Sequence, residues 1–111
     1  MISIDELTVG QARELAKQFS QSTQNHDFWK IGEPYLIRTV TMIDTGVLVA
    51  VTEHEIILRD AAWIADTGRF AAALESCDFG EVEPFPEGLV AIGRGAIVES
   101  VRIKKAPRGV K

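Results

Sequence analysis

Cysteine occurs once in these 111 residues, at Cys77, which excludes an internal disulfide. A single thiol suits a reducing compartment. Glu75 and Asp78 flank it, a setting unfavourable to a nucleophilic thiolate, so a buried or incidental cysteine is expected. Histidine is nearly as scarce. His26 and His54 have no Cys or His at ligand spacing, which excludes a recognisable metal site and leaves both as exposed loop residues. No apolar run approaches the ~20 residues of a membrane-spanning helix. The opening Met1-Ile2-Ser3-Ile4-Asp5-Glu6 lacks the basic and apolar regions of a signal peptide. Positive charge is also short: 12 Lys and Arg against 16 Asp and Glu, a formal net charge of −4. That balance argues against double-stranded DNA and other non-specific binding to phosphate backbones, although it does not exclude a local basic pocket. Asp60, Asp66, Asp78 and Glu83 are acidic, but no nucleophile accompanies them as a general acid–base pair would require. No enzyme is expected.

The chain does carry 46% hydrophobic residues, enough for one core in one domain. A domain of this size has much surface for its core, so oligomerisation is a ready source of further stability. Residues 8–21 read as a helix capped at Thr8, with Gln11 completing a capping box. Val9, Ala12, Leu15, Ala16 and Phe19 form its narrow apolar face, suited to lying on its own barrel or on a neighbour. Residues 20–27 are uniformly polar and make residues 1–27 a helix-plus-linker unit.

From Tyr35 the pattern turns to β. Tyr35–Ile43 is rich in β-branched residues, Asp44-Thr45-Gly46 reads as a turn, and Val47–Thr52 as the next strand. Glu53-His54 is a tight turn before a third strand, Glu55–Arg59. Asp60–Gly68 then leaves the sheet, and Asp66 or Thr67 caps a short helix through Arg69–Glu75. Glu83–Gly88, with Pro84 and Pro86, reads as a break in regular structure. Leu89–Ile92 and Ala96–Ile103 are two more strands joined by Gly93-Arg94-Gly95, and Lys104–Lys111 is a basic, frayed tail. The expectation is a mainly β (α+β) domain. An N-terminal helix precedes a five-stranded small barrel over residues 28–104, with a helical insertion at 61–80 between strands 3 and 4 and a tail at 105–111.

This order resembles the Sm-like fold, itself an SH3-like small barrel. Gly46-Val47-Leu48-Val49-Ala50-Val51 and Ile56-Ile57-Leu58-Arg59-Asp60-Ala61 resemble the first Sm motif, and Val90-Ala91-Ile92-Gly93-Arg94-Gly95-Ala96-Ile97 the second. The resemblance implies homo-oligomeric rings closed by strand edges. Thr52-Glu53-His54-Glu55 stands where the family carries the Asp and Asn that read RNA bases, which ranks an RNA-binding ring third. A second resemblance is to a family of small uncharacterised proteins of tailed bacteriophages and prophages. It rests on Ile37–Met42, Ala61–Phe70, Glu83-Pro84-Phe85-Pro86 and Gly93–Val98. It implies a host-cytoplasm or virion location and no catalytic role.

Three arginines draw attention. Arg38 lies within an apolar, Thr-rich strand, either facing outward or meeting Asp60, Asp66 or an anionic ligand. Arg69 follows Trp63-Ile64-Ala65-Asp66-Thr67-Gly68, where an aromatic ring can stack a base while an arginine holds phosphate. Arg94 is either solvated at a hairpin turn or presented at a ring pore. The leading expectation is a non-enzymatic phage accessory ring without cofactor. It binds an anionic ligand such as a host immune signalling nucleotide through Arg38, Trp63, Asp66, Thr67, Arg69 and Arg94. The competing reading is a structural or host-protein-binding ring, with Trp63, Phe70, Ile97 and Val98 in the subunit seam. On that reading Trp63, Ile64 and Phe70 plug the barrel or the seam.

Overall fold

A computed structural model describes residues 28–111, so the helix expected at 8–21 lies outside the described residues. Among the described residues six strands form where five are expected: β1 Pro34–Thr39, β2 Ile43–Val51, β3 Glu55–Asp66, β4 Glu81–Pro84, β5 Val90–Gly93 and β6 Ile97–Arg102. One helix, α1 (Phe70–Ser76), separates β3 from β4, and a 3-10 turn, Arg94–Ala96, separates β5 from β6. The sheet is antiparallel in the order β4-β3-β2-β1-β6, with β5 added to the first half of β3.

The run Tyr35–Ile43 is not one strand, because it turns at Thr39–Met42. The Thr39 N–H donates to the Met42 oxygen at 2.7 Å, and the Met42 N–H donates to Thr39 Oγ1 at 3.0 Å. Thr52 makes the same clamp on Glu55, at 2.8 and 2.9 Å, at the turn expected around Glu53-His54. A threonine hydroxyl thus does in both hairpins what glycine or asparagine does elsewhere. Asp44-Thr45-Gly46, expected as a turn, lies inside β2. Gly46 is there for close packing, since a Cβ at that position would meet Leu58 Cβ at 2.8 Å.

Residues 60–66 do not leave the sheet as expected, because β3 continues to Asp66 and the helical insertion begins only after it. The strand bends at Asp60, whose φ of 51° is left-handed, a conformation Asp tolerates better than most residues. The bend sends the first half of β3 to β5 and the second half to β4. Strand β4 occupies part of the expected break, and Pro84 is its last residue. Nor do β5 and β6 form a hairpin: β5 pairs with β3 and β6 with β1.

Two cores follow from the pleat. Tyr35, Leu36 and Ile37 are all fully buried, so β1 is covered on both faces. Tyr35 and Ile37 join Leu48, Ile56, Leu58 and Ile92 inside the barrel. Leu36 joins Ile64, Phe79 and Val82 in a second core beneath Ala73 and Cys77. Each buried Leu or Ile contributes about 1.5–3 kcal/mol. Helix α1 therefore covers the outer face of the sheet. Its N-cap is Arg69 and no side chain caps it. Asp66 Oδ1 instead accepts the Gly68 N–H at 2.8 Å, and Thr67 donates its hydroxyl to the Gly68 oxygen. Trp63 and Phe70 do not plug the barrel, being 38% and 41% exposed. The tail expected to fray is held: Arg108 meets Asp60 and Lys111 pairs with Val82.

Candidate functional site

The β2–β3 turn and the β5–β6 turn meet at one end of the barrel. Glu55 is in register with Gly93, which brings Thr52–Glu55 beside Gly93–Ala96. The Arg94 N–H donates to the His54 oxygen at 2.9 Å, and Arg94 Nη1 donates to the Thr52 oxygen at 2.8 Å. Arg94 thereby ties the two turns together, with guanidinium donors beyond Nη1 still to offer. Neither flanking glycine has a positive φ, and a Cβ at Gly93 or Gly95 would meet nothing within 4 Å. The fold does not demand glycine at either place. Bare backbone is thus exposed on both sides of a cation, as close approach to a ligand requires. Glu53 and His54 complete the rim, with side chains 88% and 84% exposed.

A concavity lies at the other end of β3. A groove of about 300 Å³ runs between the β1–β2 turn and the last residues of β3, bordered by Arg38, Thr39, Met42, Ile43, Trp63 and Ala65. A neighbouring hollow of about 280 Å³ shares Arg38 and Ile43 and adds Phe70 and Glu99. Arg38 Nη2 meets Glu99 Oε1 at 2.6 Å across the β1–β6 register. Its partner is therefore Glu99, not Asp60 or Asp66. Asp60 holds Arg59 and Arg108 at 2.7 and 3.2 Å. Trp63 pairs in register with Asp44, which is nearly buried and has one carboxylate oxygen without a hydrogen-bond partner. Burial raises the Asp44 pKa above its ordinary value.

Two solved structures share this architecture. One is a heptameric archaeal Sm protein, with a TM-score of 0.51 and 18% identity over 75% of this chain and 97% of that one. The other is the P. aerophilum SmAP1 heptamer, with a TM-score of 0.53 and 17% identity over 79% of this chain and 96% of that one. No protein-family model matches the sequence, and no curated protein does.

The fold is Sm-like.

The Sm-like barrel comprises β1, β2, β3, β5 and β6, with β4 and α1 extending it beyond the bend at Asp60. It separates the six residues expected to bind a ligand. Arg38 and Trp63 border one groove. Asp66, Thr67 and Arg69 follow from the end of β3 into α1, where the first two are engaged by their own turn. Arg94 stands apart at the turn cluster. Of the expected seam residues, Val98 is 54% exposed on β6, whereas Ile97 packs against the barrel core. Glu99 and the carbonyls of Thr52 and His54 join these contacts without a mark in the sequence. A backbone acceptor has no residue signature, and Glu99 is identified as a partner only by strand register.

Proposed function

We propose that this Sm-like chain is a non-enzymatic protein that self-associates into a homo-oligomeric ring through the outer edges of β5 and β6, and that the ring offers its Arg94 turns to single-stranded RNA. Support for the ring is that β5 pairs only with β3 and β6 only with β1 among the described residues. Two different edges on one subunit add copies head to tail and close a ring if the rotation allows. Both similar structures are heptamers. The observation that carries the RNA reading is Arg94, held between two glycines that neither packing nor backbone geometry requires. An arginine fork suits phosphate, and exposed backbone admits a nucleotide closely. The overall charge of −4 supplies no general attraction for phosphate, so on this reading binding rests on the local Arg94 turns. The setting we infer, from the sequence resemblance, is phage-encoded protein in a host cytoplasm. Native mass spectrometry with fluorescence anisotropy on short single-stranded RNA tests the proposal. A ring that leaves RNA unbound even at low salt would sink the RNA reading, and a monomer would sink the ring.

A second reading, a nucleotide bound in the groove, is favoured by Arg38 and Trp63 bordering one concavity. Base stacking on Trp63 with phosphate at Arg38 requires the guanidinium to be shared with Glu99. Calorimetry of the purified protein against a nucleotide panel decides it, and no heat with any member rejects it.

A further inference from the structure

Edge strands carry unpaired N–H and C=O groups, and every such edge is a template for another chain. In the order β4-β3-β2-β1-β6 the two ends are β4 and β6, and β5 has a third open side. The three are not alike.

In an antiparallel pair, residues alternate between bonding the partner strand and pointing both backbone groups outward. Val82 points outward and gives both groups to Lys111. The Val82 N–H donates to the Lys111 oxygen at 2.8 Å, and the Lys111 N–H donates to the Val82 oxygen at 3.0 Å. Pro84, two residues on and in register with Ala62, shares that outward parity and has no N–H at all. One outward donor of β4 is thus occupied and the next is absent.

The segment that occupies it is fastened along its length. The Ile103 N–H donates to the Pro34 oxygen at 3.0 Å, and the Ile103 side chain is buried in the second core. Arg108 reaches Asp60, the left-handed residue at the bend of β3, at 3.2 Å. The Lys111 ammonium meets the Asp78 carboxylate beyond the end of α1. The chain leaving β6 therefore crosses the outer face and closes on β4. No comparable backbone partner sits on the outward sides of β5 and β6 among the described residues.

We propose that residues Ile103–Lys111 are an edge guard: together with Pro84 they close β4, so that further copies of this chain add only at β5 and β6. The choice of those two edges rests on the ring reading; the closure of β4 does not.

A chain ending at Ala106 tests this, with Lys111→Pro as the milder variant. The substitution removes one backbone donor and the Asp78 contact but keeps Arg108 on Asp60. Both variants and the parent are compared by circular dichroism, sedimentation velocity and thioflavin fluorescence over a concentration series. The expected result is a retained β spectrum in both variants. The truncated chain shifts to larger, concentration-dependent species with raised thioflavin signal, and Lys111→Pro shifts less. If the truncated chain unfolds, Lys111→Pro carries the test alone. A folded variant that sediments like the parent at every concentration overturns the guard. A monomeric parent overturns the ring reading, and growth of larger species on removal of the segment still upholds the guard in that case.

Discussion

Arg94 donates from Nη1 to the backbone oxygen of Thr52, a residue 42 positions earlier in the chain. That bond makes one surface of two turns and leaves the rest of the guanidinium for a partner. It is exposed to solvent, so its worth to folding is small, about 1 kcal/mol or less. On the proposed RNA reading, Arg94→Ala is expected to lower the melting temperature by only a few degrees while abolishing most RNA affinity. Thermal melts and anisotropy on the same preparation check the separation of the two effects. Loss of stability in step with affinity would make Arg94 a structural residue.

Gly93→Ala and Gly95→Ala sharpen the same point. Open space surrounds both positions, so stability should change by under ~0.5 kcal/mol, as at other surface sites. RNA binding should weaken if backbone is what the ligand approaches. Urea unfolding beside a binding titration gives both values.

Gly46 provides the contrast. An added methyl there would sit 2.8 Å from Leu58 Cβ and 3.1 Å from the Arg59 oxygen, so strand β3 must move. Gly46→Ala is expected to destabilise by about 1–3 kcal/mol, the usual cost of overpacking. A urea midpoint equal to that of the parent contradicts the packing described for β2 and β3.

Asp44 predicts an unusual pH dependence. Its register row runs from Trp63 through Asp44 and Ile37 to Ser100, and both the Asp44 Oδ1 and the Ser100 Oγ are buried without partners. Burial raises the folded-state pKa above the ordinary value of 3.8. The folded state then binds more protons than the unfolded state in the window just above that value. Stability from this group therefore falls as pH rises through the window, and the penalty persists at neutral pH. Asp44→Asn should raise the melting temperature at neutral pH by a few degrees and flatten the pH profile in the acid range. A lower melting temperature at neutral pH would show that the carboxylate is stabilised by an interaction of its own.

Arg38 and Glu99 make a short ion pair, but their side chains are 45% and 51% exposed. Solvent screening limits such a pair to about 0.2–1 kcal/mol. A double-mutant cycle with Arg38→Ala and Glu99→Ala in urea is expected to fall in that range. A larger coupling energy would mean that the groove is drier than its exposure indicates.

The amino-acid sequence by itself determined what each segment prefers. Val47–Val51 and Glu55–Arg59 are β because their residues are β-branched and apolar, and the turn between them is short. A helix forms around Phe70–Ser76, and glycines flank Arg94 wherever that arginine points. Tertiary structure decided the rest, because pairing and burial depend on residues far apart in sequence. Thr39–Met42 turns without glycine or proline, and Asp44-Thr45-Gly46 stays extended because Trp63 and Ala62 lie across from Asp44 and Thr45. Residues 60–66 remain in the sheet because β4 arrives from beyond the helix to pair with them, and Lys111 then closes that strand. Neither the partner of Arg38 nor the blocked edge of β4 exists until the chain has folded back on itself.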